Sequence, residues 1–105
     1  MRRLEQPVAL TTILHVLGEF FKIQRITRGD KQRTVSRAVG VTQGVISQIE
    51  QGTYHGLTVS LTMRMLAYYG LGPGDLAREV MEKLEVPAGA FNEPGFANFS
   101  AATGR

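Results

Sequence analysis

A chain of 105 residues, 43% of them apolar, is long enough to bury one modest core and too short for two, so one domain with flanking segments is expected. Cysteine is absent, which excludes disulfides and thiolate metal sites; two histidines cannot alone complete a zinc shell, so neither a metal nor a cofactor is expected. The net charge of +3 matters less than its placement: residues 22–37 carry six basic side chains against one acid, Asp30, whereas beyond Leu71 five acids face three bases.

The opening Met1-Arg2-Arg3-Leu4-Glu5-Gln6-Pro7 leads into a short apolar stretch broken at Gly18-Glu19, with no small-residue cleavage site. Neither a signal peptide nor a membrane span is expected, and the composition fits a reducing cytoplasm. Leu10, Ile13, Leu14, Leu17, Phe20, Phe21 and Ile23 recur at helical spacing and predict a first helix over about 12–26, stopped by Arg28-Gly29-Asp30. A second, short helix over 32–39 carries Val35 and Val39 on one face and ends at Gly40. Thr42 is placed to cap a third helix over 43–51 that closes at Gly52.

After the loop Thr53-Tyr54-His55-Gly56, Thr58 or Ser60 caps a fourth helix with Leu61, Met65, Leu66 and Tyr69 on one side and Gly70 at its end. Leu71-Gly72-Pro73-Gly74 forms a turn, and Asp75 is expected to cap a fifth helix running to about Glu85, with Leu76, Val80 and Leu84 four residues apart. Residues 88–105 are rich in Gly, Ala and Asn, with Phe91, Phe96 and Phe99 placed without period. No alternating strand pattern occurs, so the fold class is all-α with five helices.

A helix-turn-helix needs a small residue where its two helices cross, a glycine at the turn, and branched apolar residues beneath. Counting from Gln32, Ser36 is the small residue, Gly40 the turn glycine and Ile46 the buried branched residue, with Val35, Val39, Val41 and Ile49 as further interior positions. The arrangement places the motif at 32–51, inside a domain spanning 12–86, with an N-terminal arm over 1–11 and a C-terminal tail over 87–105.

Leu17-Gly18-Glu19-Phe20-Phe21 with Arg25, then Gln32, then the run from Val41-Thr42-Gln43 to Ile46-Ser47-Gln48-Ile49-Glu50-Gln51-Gly52, resembles the lambda-repressor and Cro-like (XRE-type) helix-turn-helix DNA-binding family. The resemblance covers about residues 17–76. It implies a five-helix lambda-repressor-like domain and an ion pair between Arg25 and Glu50 that ties the first helix to the end of the recognition helix. The chain departs from the family pattern at Asp30-Lys31, which replace an apolar residue and a Ser/Thr cap, at Ser36, which replaces the commoner alanine, and in the loop after Gly52, which is slightly long.

In such a motif the N-terminal part of the third helix enters the major groove, and positions i, i+1, i+4 and i+5 share a face. Gln43, Gly44, Ser47 and Gln48 occupy that face. Each glutamine can offer donor and acceptor together to an adenine edge, Gly44 permits close approach, and Val45 is positioned for a thymine methyl. Phosphate contacts are expected from Lys31, Gln32, Arg33 and Thr42 and from the loop residues Gln51, Thr53, Tyr54 and His55. Arg28 and Arg37 are weaker candidates of the same kind.

The function expected is sequence-specific binding of double-stranded DNA as a homodimeric repressor on a palindromic operator, with the fifth helix and the Phe-bearing tail as interface. An alternative is an antitoxin that binds DNA through the same motif and a toxin, its protein partner, through the C-terminal segment. An enzyme is not expected, because no nucleophile-base grouping, motif-placed carboxylate pair or phosphate-cradling glycine loop is present.

Overall fold

The computed structural model describes residues 9–84. Within them lie α1 (Leu10–Arg28), α2 (Gln32–Val39), α3 (Gln43–Gln51), α4 (Val59–Tyr68) and α5 (Pro73–Lys83), the all-α, five-helix architecture expected. The arm and the tail, with Phe91, Phe96 and Phe99, fall almost wholly outside the described residues. No described helix is long and apolar enough to cross a membrane.

Local chemistry sets most helix ends. Thr42 and Thr58 each stand in extended conformation before a helix, and their hydroxyls accept from the N–H groups of Val45 at 3.2 Å and Leu61 at 3.1 Å. At the other end of α3, Gly52 takes the left-handed conformation, φ 77°, so that its own N–H and that of Thr53 reach back to the carbonyls of Ile49 and Gln48. Both ends of α1 and the start of α5 differ from expectation. α1 runs from Leu10 to Arg28, two residues beyond the expected 12–26 at each end. Asp75 is not the N-cap of α5 but its third residue: Pro73 opens the helix with its preset φ and missing donor, and the Asp75 carboxylate reaches back to accept the Gly72 N–H at 2.9 Å. That hydrogen bond is the main reason the Asp75 carboxyl lies below the ordinary carboxylate range.

The core is one cluster drawn from four helices: Phe20 and Phe21 of α1, Val35 and Val39 of α2, Ile46 and Ile49 of α3, Leu61, Met65 and Leu66 of α4, and Tyr69 just beyond α4. α5 contributes no buried residue; its Leu76, Val80 and Met81 are half-buried, since the helix packs mainly against α1 and reaches the core cluster through Leu76. The apolar periodicity of α1 runs past the core, leaving Leu10 and Ile23 exposed. The hydrophobic pattern of one helix does not report how many neighbours it has.

α1 crosses the end of α3 closely enough that two glycines are obligatory. A Cβ on Gly18 would overlap the Ile49 carbonyl oxygen and stand 2.9 Å from that of Glu50. A Cβ on Gly52 would lie 2.6 Å from His15 Nδ1 and 2.8 Å from His15 Cα. His15 is thus a packing neighbour of the α3 terminus, and among the described residues no group of three metal-ligating side chains forms around it or elsewhere. Gly18→Ala should lower unfolding free energy by about 1–3 kcal/mol, the usual cost of overpacking a site whose neighbours are backbone. Urea denaturation with an unchanged midpoint would show that α1 can shift away from α3 freely.

Candidate nucleic-acid interface

The turn between α2 and α3 is tight because Gly40 adopts φ 83°, which lets its N–H and that of Val41 both donate to the Ser36 carbonyl. Ser36 is buried, and its hydroxyl is satisfied locally by donating to the Arg33 carbonyl at 2.7 Å. α3 then packs Ile46 and Ile49 into the core and turns Gln43, Gly44 and Gln48 to solvent, with Ser47 half exposed beside them. Gln43 and Gln48 make no side-chain hydrogen bond to any described residue, whereas the Gln51 amide donates to the Ser47 hydroxyl at 3.1 Å. Val45 is half-buried and packs against the core, so only part of its side chain faces outward.

α2 begins without a side-chain cap: Lys31 occupies the N-cap position and cannot accept from the first free N–H groups of the helix. Lys31 and Arg33 are exposed there, and with Arg25, Asp30, Gln32 and Gln43 they line one open polar cleft. A helix N-terminus whose amides are uncapped and whose neighbours are cationic is chemically suited to an anionic oxygen.

Beneath this cleft lies the one buried carboxylate of the described residues. Glu50 is only 7% exposed and accepts from Arg25 twice, Nε to Oε2 at 2.7 Å and Nη2 to Oε1 at 3.0 Å, and from Gln32 Nε2 at 3.0 Å. The remaining Arg25 Nη1 donates to the Asp30 carbonyl at 3.0 Å. The bidentate bond to Glu50, the largest influence on Arg25, raises its pKa and keeps it cationic, against the opposing effect of burial. α1, the start of α2 and the end of α3 therefore meet on one charge-assisted knot.

A family model described as "Helix-turn-helix domain" matches residues 16–80, more than half the chain. The chain belongs to this family, which is XRE-like. A search of curated proteins gives no match. Among solved structures the fold is similar to the crystal structure of the clp gene regulator ClgR from Corynebacterium glutamicum, at 21% identity and a TM-score of 0.65, over 78% of this chain and 82% of that one.

Within the helix-turn-helix domain the candidate residues named from sequence are not all equally placed for contact. Lys31, Arg33, Thr42, Gln43, Gly44, Gln48, Gln51, Thr53 and His55 are exposed. Gln32 is half-buried with its amide nitrogen on Glu50, the Thr53 hydroxyl donates to the Gln48 carbonyl at 3.3 Å, and Tyr54 is half-buried against the core. Arg28 is held elsewhere: its guanidinium lies 4.8 Å from the Tyr68 ring centroid and donates to the Tyr68 carbonyl at 2.8 Å.

Two contacts carry no local sequence signal. Arg64 of α4 donates to the Val39 carbonyl at 2.6 Å and so caps α2 from another helix, and the Tyr68 hydroxyl donates to the Asp30 carboxylate at 2.6 Å. Tyr69, by contrast, is buried beside Phe21 with a hydroxyl that finds no partner among the described residues, and burial pushes its pKa up, which keeps the phenol protonated.

The Glu50 knot has a measurable signature. Glu50→Leu leaves the largely buried Arg25 without its counter-charge and should cost about 3 kcal/mol, while Arg25→Met combined with Glu50→Leu should recover much of that loss. Chemical denaturation of the two variants distinguishes the outcomes: equal losses would mean that Arg25 finds water when Glu50 is removed.

Proposed function

We propose that this helix-turn-helix protein is a sequence-specific regulator of transcription that binds double-stranded DNA as a homodimer on a palindromic operator and represses by occupying it. The observation that carries this reading is that Gln43, at the exposed start of α3, lines the same cleft as Lys31 and Arg33 at the uncapped start of α2. A side chain able to meet a base edge and two cations able to meet phosphates thus share one cleft. Gln43 and Gln48 read adenine edges by paired hydrogen bonds, Gly44 lets the backbone approach, and Ser47 and the outer part of Val45 meet neighbouring bases.

Lys31, Arg33, Thr42, Gln51, Thr53 and His55, with the free amides of α2, hold the phosphates and set the register. Gln32 and Tyr54 serve this face from beneath it. A dimer gives the protein two half-sites one helical turn apart, which a single small domain needs for adequate discrimination. The half-exposed Leu76, Val80 and Met81 of α5 support that helix as part of the interface; the tail over 87–105, the other candidate, lies outside the described residues.

The test is binding to DNA upstream of the chain's own gene, followed by selection from a random pool, across a salt series. A palindromic footprint is expected, with affinity falling steeply as salt rises. Gln43→Ala/Gln48→Ala should lose about 1–3 kcal/mol of discrimination per removed contact while retaining binding to random DNA. Lys31→Ala should weaken both kinds of site and flatten the log-log salt slope by about one. Absence of binding to every duplex tried would overturn the reading in favour of a protein-bridging domain.

A further inference from the structure

One side-chain cluster at the edge of the cleft has no role in the mechanism above: Arg28 at the end of α1, Asp30 in the α1–α2 loop, and Tyr68 at the end of α4. The Tyr68 hydroxyl donates to Asp30 Oδ2 at 2.6 Å, the short distance of a hydrogen bond to an ionised acceptor. Arg28 Nε lies 3.5 Å from the same oxygen, and its Nη1 holds the Tyr68 carbonyl at 2.8 Å while the guanidinium covers the Tyr68 ring. Asp30 is also fixed along its backbone, its N–H donating to the Arg25 carbonyl at 3.1 Å and its carbonyl accepting from Arg25 Nη1. It is the one acid lining the cleft that otherwise gathers Arg25, Lys31, Gln32, Arg33 and Gln43.

A carboxylate directly before Lys31 is a liability for a phosphate site, since like charges at close range oppose binding. We propose that Tyr68 is a positioning residue for nucleic-acid binding: with Arg28 it holds the Asp30 carboxylate toward the end of α4, leaving the start of α2 to a DNA phosphate. The inference rests on reading that helix start as a phosphate site. It deepens the reading by assigning a role to a residue on α4, outside the recognition motif. The hydroxyl acts on Asp30 and not on DNA, so its loss affects every duplex alike and is undone by removing the charge it controls.

The experiment measures binding of Tyr68→Phe, Asp30→Asn and their combination to a random-sequence duplex and to a selected operator, below the melting midpoint of each variant. Tyr68→Phe should bind both duplexes roughly 3- to 10-fold more weakly, the size of one hydrogen bond, with the operator-to-random ratio preserved. Asp30→Asn should bind at least as tightly as wild type, and Tyr68→Phe/Asp30→Asn should return to within about twofold of Asp30→Asn.

Unchanged binding by Tyr68→Phe, or a loss that persists in the double variant, overturns the proposal; the second result would make Tyr68 a support of the fold alone. Should Tyr68→Phe melt below the assay temperature, Arg28→Met, which removes the cation beside the same carboxylate, is held to the same expectation. Lys31→Ala/Arg33→Ala separates this failure from that of the underlying reading. If that variant binds weakly while Tyr68→Phe binds normally, the phosphate site stands and the role of Tyr68 falls; if it binds as wild type does, or wild type binds no duplex, both fall together.

Discussion

The carboxylate of Glu50 is the point on which the arrangement of the first three helices depends. A buried charge is tolerable only when its lone pairs are met, and here they are met by two N–H groups of Arg25 and one of Gln32. Because Arg25 is on α1, Gln32 opens α2 and Glu50 is in the last turn of α3, satisfying one group fixes three elements. A hydrophobic contact of similar area would hold them together without specifying their angles. Directional bonds constrain both.

That constraint bears on what the exposed faces can do. A helix presents the side chains of its first turn in a fixed geometry only when packing and supporting hydrogen bonds together hold it. α3 is gripped on its inner face by Ile46 and Ile49, at its start by the Thr42 cap, and at its end by Glu50 and the close passage of α1 at Gly18 and Gly52. α2 is held at its beginning by Gln32 and at its end by Arg64 on the Val39 carbonyl. The two helices of the motif therefore have little freedom to separate, while Gln43 and Gln48 are left without intramolecular partners among the described residues.

The departures of this chain from the family pattern acquire a physical reading from the same contacts. Lys31 gives up the side-chain cap that a serine or threonine would supply, leaving backbone amides and a cation on the cleft. Asp30 carries a charge in place of an apolar residue, and the polar groups of Tyr68 and Arg28 answer it. Ser36 fits the helix crossing with the hydroxyl turned onto its own helix, so a polar atom enters the core region without an unmet bond.

Much of the fold was legible in the sequence because its signals are local. The bounds of α2 and α3 follow from Gly40, Thr42 and Gly52, residues whose backbone preferences and capping chemistry act within one turn, and the core positions of α4 follow from a 3.6-residue period. The family signature in residues 17–52 likewise survives without coordinates, since it is a spacing of residue types. Only the tertiary structure decided which apolar residues of α1 are covered: Ile23 continues the helical pattern yet is exposed, whereas Phe20 and Phe21 are buried.

Only the tertiary structure, too, divided the polar residues between outward and inward work. It turned Gln32 to Glu50, Tyr68 to Asp30 and Arg64 to the α2 terminus across separations of 18, 38 and 25 residues. A side chain's own type states what bonds it can make. Which partner it meets depends on how distant segments pack, and no local pattern encodes that.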